Sequence, residues 1–200
     1  IEKLKQAYFL SHAPRLLDNI AAVYALLAKQ QSVSSSAIRN AQEGLGYGRL
    51  YLKLEKDAFN CRVLDAIVIL QKLASHSAKL TESSEPSDYT LKAIGEFESA
   101  YADNANPDLR YCVAAAYKDR GLDSTRANKV RLHDVEQALR AYQEYQAACQ
   151  KAESSYTPRD CTGDIQTLQR AEQELRAELG RKIPIHQRTW FRALIAVVSV

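Results

Sequence analysis

A chain of 200 residues with a formal net charge of +3 is too weakly basic to be read as a nucleic-acid binder. With only 7 Gly and 5 Pro it has few turns, and Leu, Ala, Gln, Glu, Lys and Arg, all good helix formers, dominate it. No sustained apolar–polar alternation of strand type occurs. The expectation is an all-α, antiparallel helical bundle of about six or seven helices, disulfide-stabilised. One domain covers residues 1–180, and a basic, then apolar, segment covers 181–200.

In chain order, Ile1 to Leu10 is a short helical lead-in, and Ser11 and Pro14 mark a restart. Leu16, Leu17, Ile20, Val23, Tyr24, Leu26 and Leu27 then make a wide apolar face as far as Lys29. Gln30 to Ser36 is a polar turn, followed by a short segment from Ala37 to Glu43. Gly44, Gly46 and Gly48 alternate, but no strand precedes them and no Lys-Ser/Thr pair follows. They predict a joint or a tight helix crossing rather than a phosphate loop.

Arg49 to about Leu80 is the longest predicted helix, with Leu50, Leu54, Ala58, Cys61, Leu64 and Val68 on one face. Within it Ala66 to Leu70 is apolar on every side and should be the most buried part, though far too short to span a bilayer. Thr81 to Asp88 reads as a polar linker, and Tyr89 to Ala102 as a helix carrying Leu91, Ile94, Phe97 and Tyr101. Asn106-Pro107 is a helix start, with Pro at the first helical position. Leu109 to Arg120 follows, ended by Gly121, and Leu122 to Arg131 reads as loop. Acids crowd Glu82 to Asp108 and bases crowd Arg110 to Arg131, which predicts two helix faces that neutralise each other side by side.

The clearest pattern runs from Leu132 to Leu179. Leu132, Val135, Leu139, Tyr142, Tyr145, Cys149 and Ala152 recur in steps of three or four, as do Ile165, Leu168, Ala171, Leu175 and Leu179. Pro158 breaks the two arms apart, Thr162 or Asp164 can cap the second, and Gly180 can stop it. Two helices joined by a short turn lie antiparallel, which would bring Cys149 beside Cys161. A Cys149–Cys161 disulfide is therefore expected, and Cys61–Cys112 by elimination. The stretch AAAYKDRG followed by EQALRAYQEYQAA is similar to a tetratricopeptide repeat at its Tyr, Gly and Ala positions. An insertion splits it and no second copy follows at the required spacing, so the chain is not assigned to that family.

The cysteines fall in no CxxC and no Cys/His cluster, and His12, His76, His133 and His186 have no His partner at helical spacing. No GxSxG elbow exists. No catalytic, cofactor or metal residue is nominated, and no nucleic-acid partner is expected. Four lone, widely spaced Cys fit an oxidising, extracytoplasmic compartment, periplasmic, secreted or at the cell surface. The chain opens at Ile1 and holds no Met, which raises the expectation of a removed N-terminal segment such as an export signal. Tyr outnumbers Phe 11 to 4, and Tyr142 and Tyr145, with Trp190 and Phe191 of the tail, are the interface candidates. The tail is expected to pack on the bundle, on a second copy or on another partner, with membrane contact as the other reading.

The functional expectation is a non-catalytic extracytoplasmic helical protein that binds another protein. The alternatives are a ligand-binding or sensor bundle flanked by membrane helices, and an enzyme with a site not visible in sequence.

Overall fold

The computed structural model describes residues 1–30, 34–55, 61–75, 88–151 and 157–181. Among the described residues the chain is all-helical: α1 (Glu2–Ser11), α2 (Arg15–Gln30), α3 (Ser35–Leu54), α4 (Arg62–Ala74), α5 (Tyr89–Asn104), α6 (Pro107–Leu122), α7 (Asn128–Lys151) and α8 (Thr162–Arg181). Each helix packs mainly on its sequence neighbours, with next-neighbour contacts of α2 with α4, α3 with α5 and α6 with α8. The tail residues Trp190 and Phe191 lie outside the described residues.

The helix ends follow local chemistry. Ser34 Oγ accepts from the Ala37 N–H at 3.2 Å and caps α3, and Asp88 Oδ1 accepts from Leu91 N–H at 3.2 Å and caps α5. Asn106 Oδ1 takes the Asp108 N–H at 2.9 Å, with Pro107 in the first turn of α6 as expected. At α8 the expected caps, Thr162 and Asp164, give way to Asp160, whose Oδ1 accepts from the Thr162 N–H at 2.9 Å. Gly180 does not stop α8, which runs to Arg181.

Two predicted elements are corrected. Residues 35–54 form one helix straight through the three glycines, because two of them lie where neighbouring helices cross. A Cβ on Gly44 would meet Tyr24 Cβ of α2 at 2.6 Å, and one on Gly48 would meet Ile67 of α4 at 3.1 Å, whereas one on Gly46 would meet nothing within 4 Å. Conversely, the predicted helix from Arg49 to Leu80 is two helices. Glu55 leaves the helical region with φ −76° and ψ 128°, and α4 folds back on α3, with Leu70 opposite Gly44 and Ile67 opposite Gly48. The fold-back buries the apolar stripes of both helices against α2, which one continuous rod could not do. Ala66, Ile67 and Leu70 are buried as expected, but Val68 and Ile69 are only half-buried.

The predicted hairpin forms. Tyr142 Oη donates to Asp164 at 2.8 Å, Arg176 reaches Glu136 at 2.7 Å, and Asn128 donates to Glu178 at 2.6 Å. Low numbers on α7 thus meet high numbers on α8, the antiparallel arrangement. Its turn is tied back to α6 by Arg159, whose Nε lies 3.2 Å from Asp108 and whose guanidinium sits over the Tyr111 ring at 4.9 Å.

Charge neutralisation between the acidic and basic stretches also occurs, through Asp88 and Glu98, and one of its arginines is further buried on an acid of α7 outside those stretches. Arg120, 6% exposed, lies on Asp134, 1% exposed, through Nε–Oδ2 at 3.2 Å. Its Nη1 pairs with Asp88, which also takes Arg126 at 3.1 Å. Arg110 and Glu98 pair more loosely, at 3.8 Å. Burial opposes the Asp88 charge, but the Leu91 N–H and the two guanidiniums outweigh it and hold the carboxyl below its ordinary value.

Cys61 and Cys112 form a disulfide, with 5.0 Å between Cα atoms. It joins the residue before α4 to the middle of α6, across a sequence separation of 51. A loop of that size is worth about 4 kcal/mol through restriction of the unfolded chain.

Gly44→Ala will destabilise the protein by about 1–3 kcal/mol through the clash with Tyr24. Gly46→Ala will stabilise it by up to about 1 kcal/mol, the ordinary helical preference. Urea unfolding of the two variants checks the contrast. For Asp88, the folded carboxyl titrates below the unfolded one, so its contribution is complete above the unfolded value and is lost as pH falls through the folded value. Asp88→Asn keeps a good cap residue and loses the charge. Its stability deficit against the parent will therefore shrink as the pH is lowered from about 5 to about 2; a constant deficit in urea midpoints would contradict this.

Candidate functional site

The largest of the described clefts, about 680 Å³, lies between α3 and α5. Arg49, Leu52 and Lys53 form the α3 wall, and Glu96, Ser99, Ala100 and Asp103 form the α5 wall. Helical spacing explains both. On α3 Arg49 and Lys53 are one turn apart on the face that leaves the core beside buried Leu52. On α5 Lys92, Glu96, Ser99 and Asp103 fall three or four apart, opposite the buried face of Ala93, Ile94 and Phe97.

One end of the cleft is closed by a bidentate pair. Arg49 Nη2 lies 2.7 Å from Glu96 Oε1, and its Nε 3.1 Å from Oε2. Glu96 Oε1 also accepts from Gln71 Nε2 of α4 at 2.8 Å. That bond fixes which way the amide points, because a carboxylate can only accept. It leaves Gln71 Oε1 buried without a hydrogen-bond partner. Beyond the clasp lies a smaller cleft of about 380 Å³, which takes in Gln71, Ser75, Tyr89 and Lys92.

Ser75, Tyr89 and Lys92 are residue types that can carry acid–base or acyl chemistry, but their geometry is structural. Ser75 Oγ donates to the Lys72 carbonyl at 2.8 Å, so toward Tyr89 it acts as acceptor. Lys92 Nζ sits 5.4 Å from the centroid of the Tyr89 ring, a cation–π contact. The serine proton is held by a carbonyl rather than by a base, so Ser75 is not an activated nucleophile.

The cysteine expectation is half corrected. Cys149 and Cys161 are free thiols. Cys161 is buried just before α8, within 3.8 Å of Gln146 Nε2, and Cys149 is half-buried on α7. Both open on one cavity of about 470 Å³ with Gln150, Pro158 and Asp160. Other bonds close the hairpin there: the Arg159 N–H donates to Tyr145 Oη, and Tyr142 to Asp164. These bonds set the arms without joining the two sulfurs. Burial, with Asp160 and Asp164 nearby, pushes the Cys161 thiol up.

Two of the four interface candidates are placed by the structure, and they are not on the surface. Tyr142 and Tyr145 are 0% and 1% exposed, covered by α8 and its turn, with Tyr111 packed edge-on to both rings. They belong to the core because α8 covers the face they share. Exposed large apolar side chains sit elsewhere, chiefly Phe9 at 78% and Leu10 at 79% on α1. Lys5, one turn before Phe9 on α1, is held to the bundle by Glu43 at 2.6 Å and lies over the rings of Tyr24 and Tyr47. Among the described residues no group of three His, Cys, Asp or Glu side chains is placed to hold a metal, and no helix is long and apolar enough to cross a membrane.

Sequence reading nominated none of the α3–α5 cleft residues. The signal it offered was the polar row Lys92, Glu96, Ser99, Asp103 along one face of α5.

Two thiols will react with a thiol reagent in the unreduced, denatured protein, and four after reduction. In the native protein Cys149 will be modified first, since Cys161 is buried and its thiol is held up. Peptide mapping after timed alkylation reads both; faster labelling of Cys161 would contradict the burial order.

Comparisons of the chain with protein-family models, with curated proteins and with solved structures find no match, and the functional reading therefore rests on the residues themselves.

Proposed function

We propose that the chain is a non-catalytic helical protein that binds another protein, and that it works in an oxidising, extracytoplasmic compartment. The observation that carries the binding reading is the α3–α5 cleft. It is open along its length, its floor is apolar at Leu52 and Ala100, and its walls present cations on one side and carboxylates on the other. A small molecule would keep much of its surface in water there, whereas the segment of a larger partner covers such a cleft with its own body. The compartment reading draws support from the Cys61–Cys112 disulfide, since disulfides persist where thiols are not kept reduced.

Ser99→Trp tests the binding reading. Ser99 is exposed on α5, so a Trp there fills the cleft without touching the core. Proteins of the native compartment are presented to immobilised parent and variant, and those retained are titrated by surface plasmon resonance. The expected result is a saturable association with the parent that Ser99→Trp weakens at least roughly tenfold. An association that the variant leaves intact, or none at all, would overturn the reading.

A further inference from the structure

We propose that the α3–α5 cleft receives an extended peptide segment of a partner protein in which acidic and basic side chains alternate. This rests on the protein-binding reading and names the chemistry of the partner.

The inference starts from the Arg49–Glu96 clasp, which shows how the two walls meet when they are close. There a cation of α3 and a carboxylate of α5 neutralise each other directly. α3 and α5 run in the same direction, since each is antiparallel to α4 between them. Lys53 lies one turn beyond Arg49, about 6 Å along its helix, and Asp103 lies about 10 Å beyond Glu96. Both are exposed, and neither makes an ion pair among the described residues. The cleft of about 680 Å³ thus continues past the clasp with the same signs on the same walls, but with no ion pair across it among the described residues. Leu52 and Ala100 form an apolar strip between the two charges.

An occupant that bridges these walls needs a negative group toward α3, a positive group toward α5, and apolar or backbone surface between. An extended peptide supplies this in its simplest form, because successive side chains point to opposite sides. An acid followed by a base therefore addresses Lys53 with one residue and Asp103 with the next. A purely acidic segment meets repulsion from the α5 wall, and a purely basic one from the α3 wall. Nucleic acid is disfavoured for the same reason, since Glu96 and Asp103 face the same channel that a phosphate chain would have to follow.

The test uses fluorescence anisotropy at low ionic strength. The probe is a labelled peptide of repeated Glu-Lys dipeptides; all-Glu, all-Lys and Gly-Ser repeats of equal length serve as controls. The expected result is tightest binding of the mixed peptide. Lys53→Glu and Asp103→Lys will each weaken it by about fivefold to tenfold, and the double variant will recover most of the loss, because the peptide can turn over to match the exchanged walls. Both residues are exposed, and circular dichroism with urea unfolding of each variant confirms that the fold is kept. Equal affinity for the mixed and Gly-Ser peptides, or single reversals without effect, would overturn the proposal. If Ser99→Trp abolishes protein association while the mixed peptide is not preferred, the charge pairing falls and the binding reading stands. If the parent binds no protein, the binding reading falls on its own test.

Discussion

The contact on which the second half of the molecule depends is the ion pair of Arg120 and Asp134. Both are almost fully shielded from water, and the charge of Asp134 is matched there by Arg120, which Asp88 also pairs. Removing one partner of such a pair leaves an uncompensated buried charge, at a cost of about 3–5 kcal/mol. The pair fixes the register of α6 against α7. Gly121 beside it lets the helices close, since a Cβ there would meet Val135 at 2.7 Å. Through Asp88 the same guanidinium reaches the cap of α5, so one side chain orders the starts or ends of three helices. Glu55, at the end of α3, is a buried charge of the first half of the chain. There the close approach is steric, through Gly44 and Gly48, and the packing of α2, α3 and α4 is apolar.

How much of this was legible follows from what periodicity can report. The arms of α7 and α8 were readable because each shows an uninterrupted apolar face and the turn between them contains Pro158. Asn106-Pro107 was readable because cap and first-turn preferences are local. The break between α3 and α4 was not readable. Leu50, Leu54, Ala58, Cys61 and Leu64 keep helical step straight across it, and periodicity reports a face, not continuity. Tyr142 and Tyr145 were placed on the right face, but which faces a neighbour would cover is a tertiary fact.

The cleft was invisible for the same reason. Arg49, Lys53, Glu96 and Asp103 are, one by one, ordinary surface charges of amphipathic helices. They become a channel only when α4 turns α5 back beside α3. Likewise the cysteines: spacing predicted a bridge across the nearest turn, whereas the bond forms between residues brought together by the path of three helices. Local proximity is a poor guide to pairing when other groups, here Tyr145, Tyr142 and Asp164, already hold the turn.

The Cys61–Cys112 bond also decides how the chain carries mechanical load. A pull applied to its two ends travels through the sulfur bridge and bypasses the backbone between the cysteines. α4, α5 and the first turn of α6 lie inside that bypassed ring. The α5 wall of the cleft is therefore covalently sheltered from tension, while the α3 wall lies on the loaded path. Stretching the oxidised chain would part the two walls before it unravelled α5, and would release roughly 170 Å less contour length than the reduced chain.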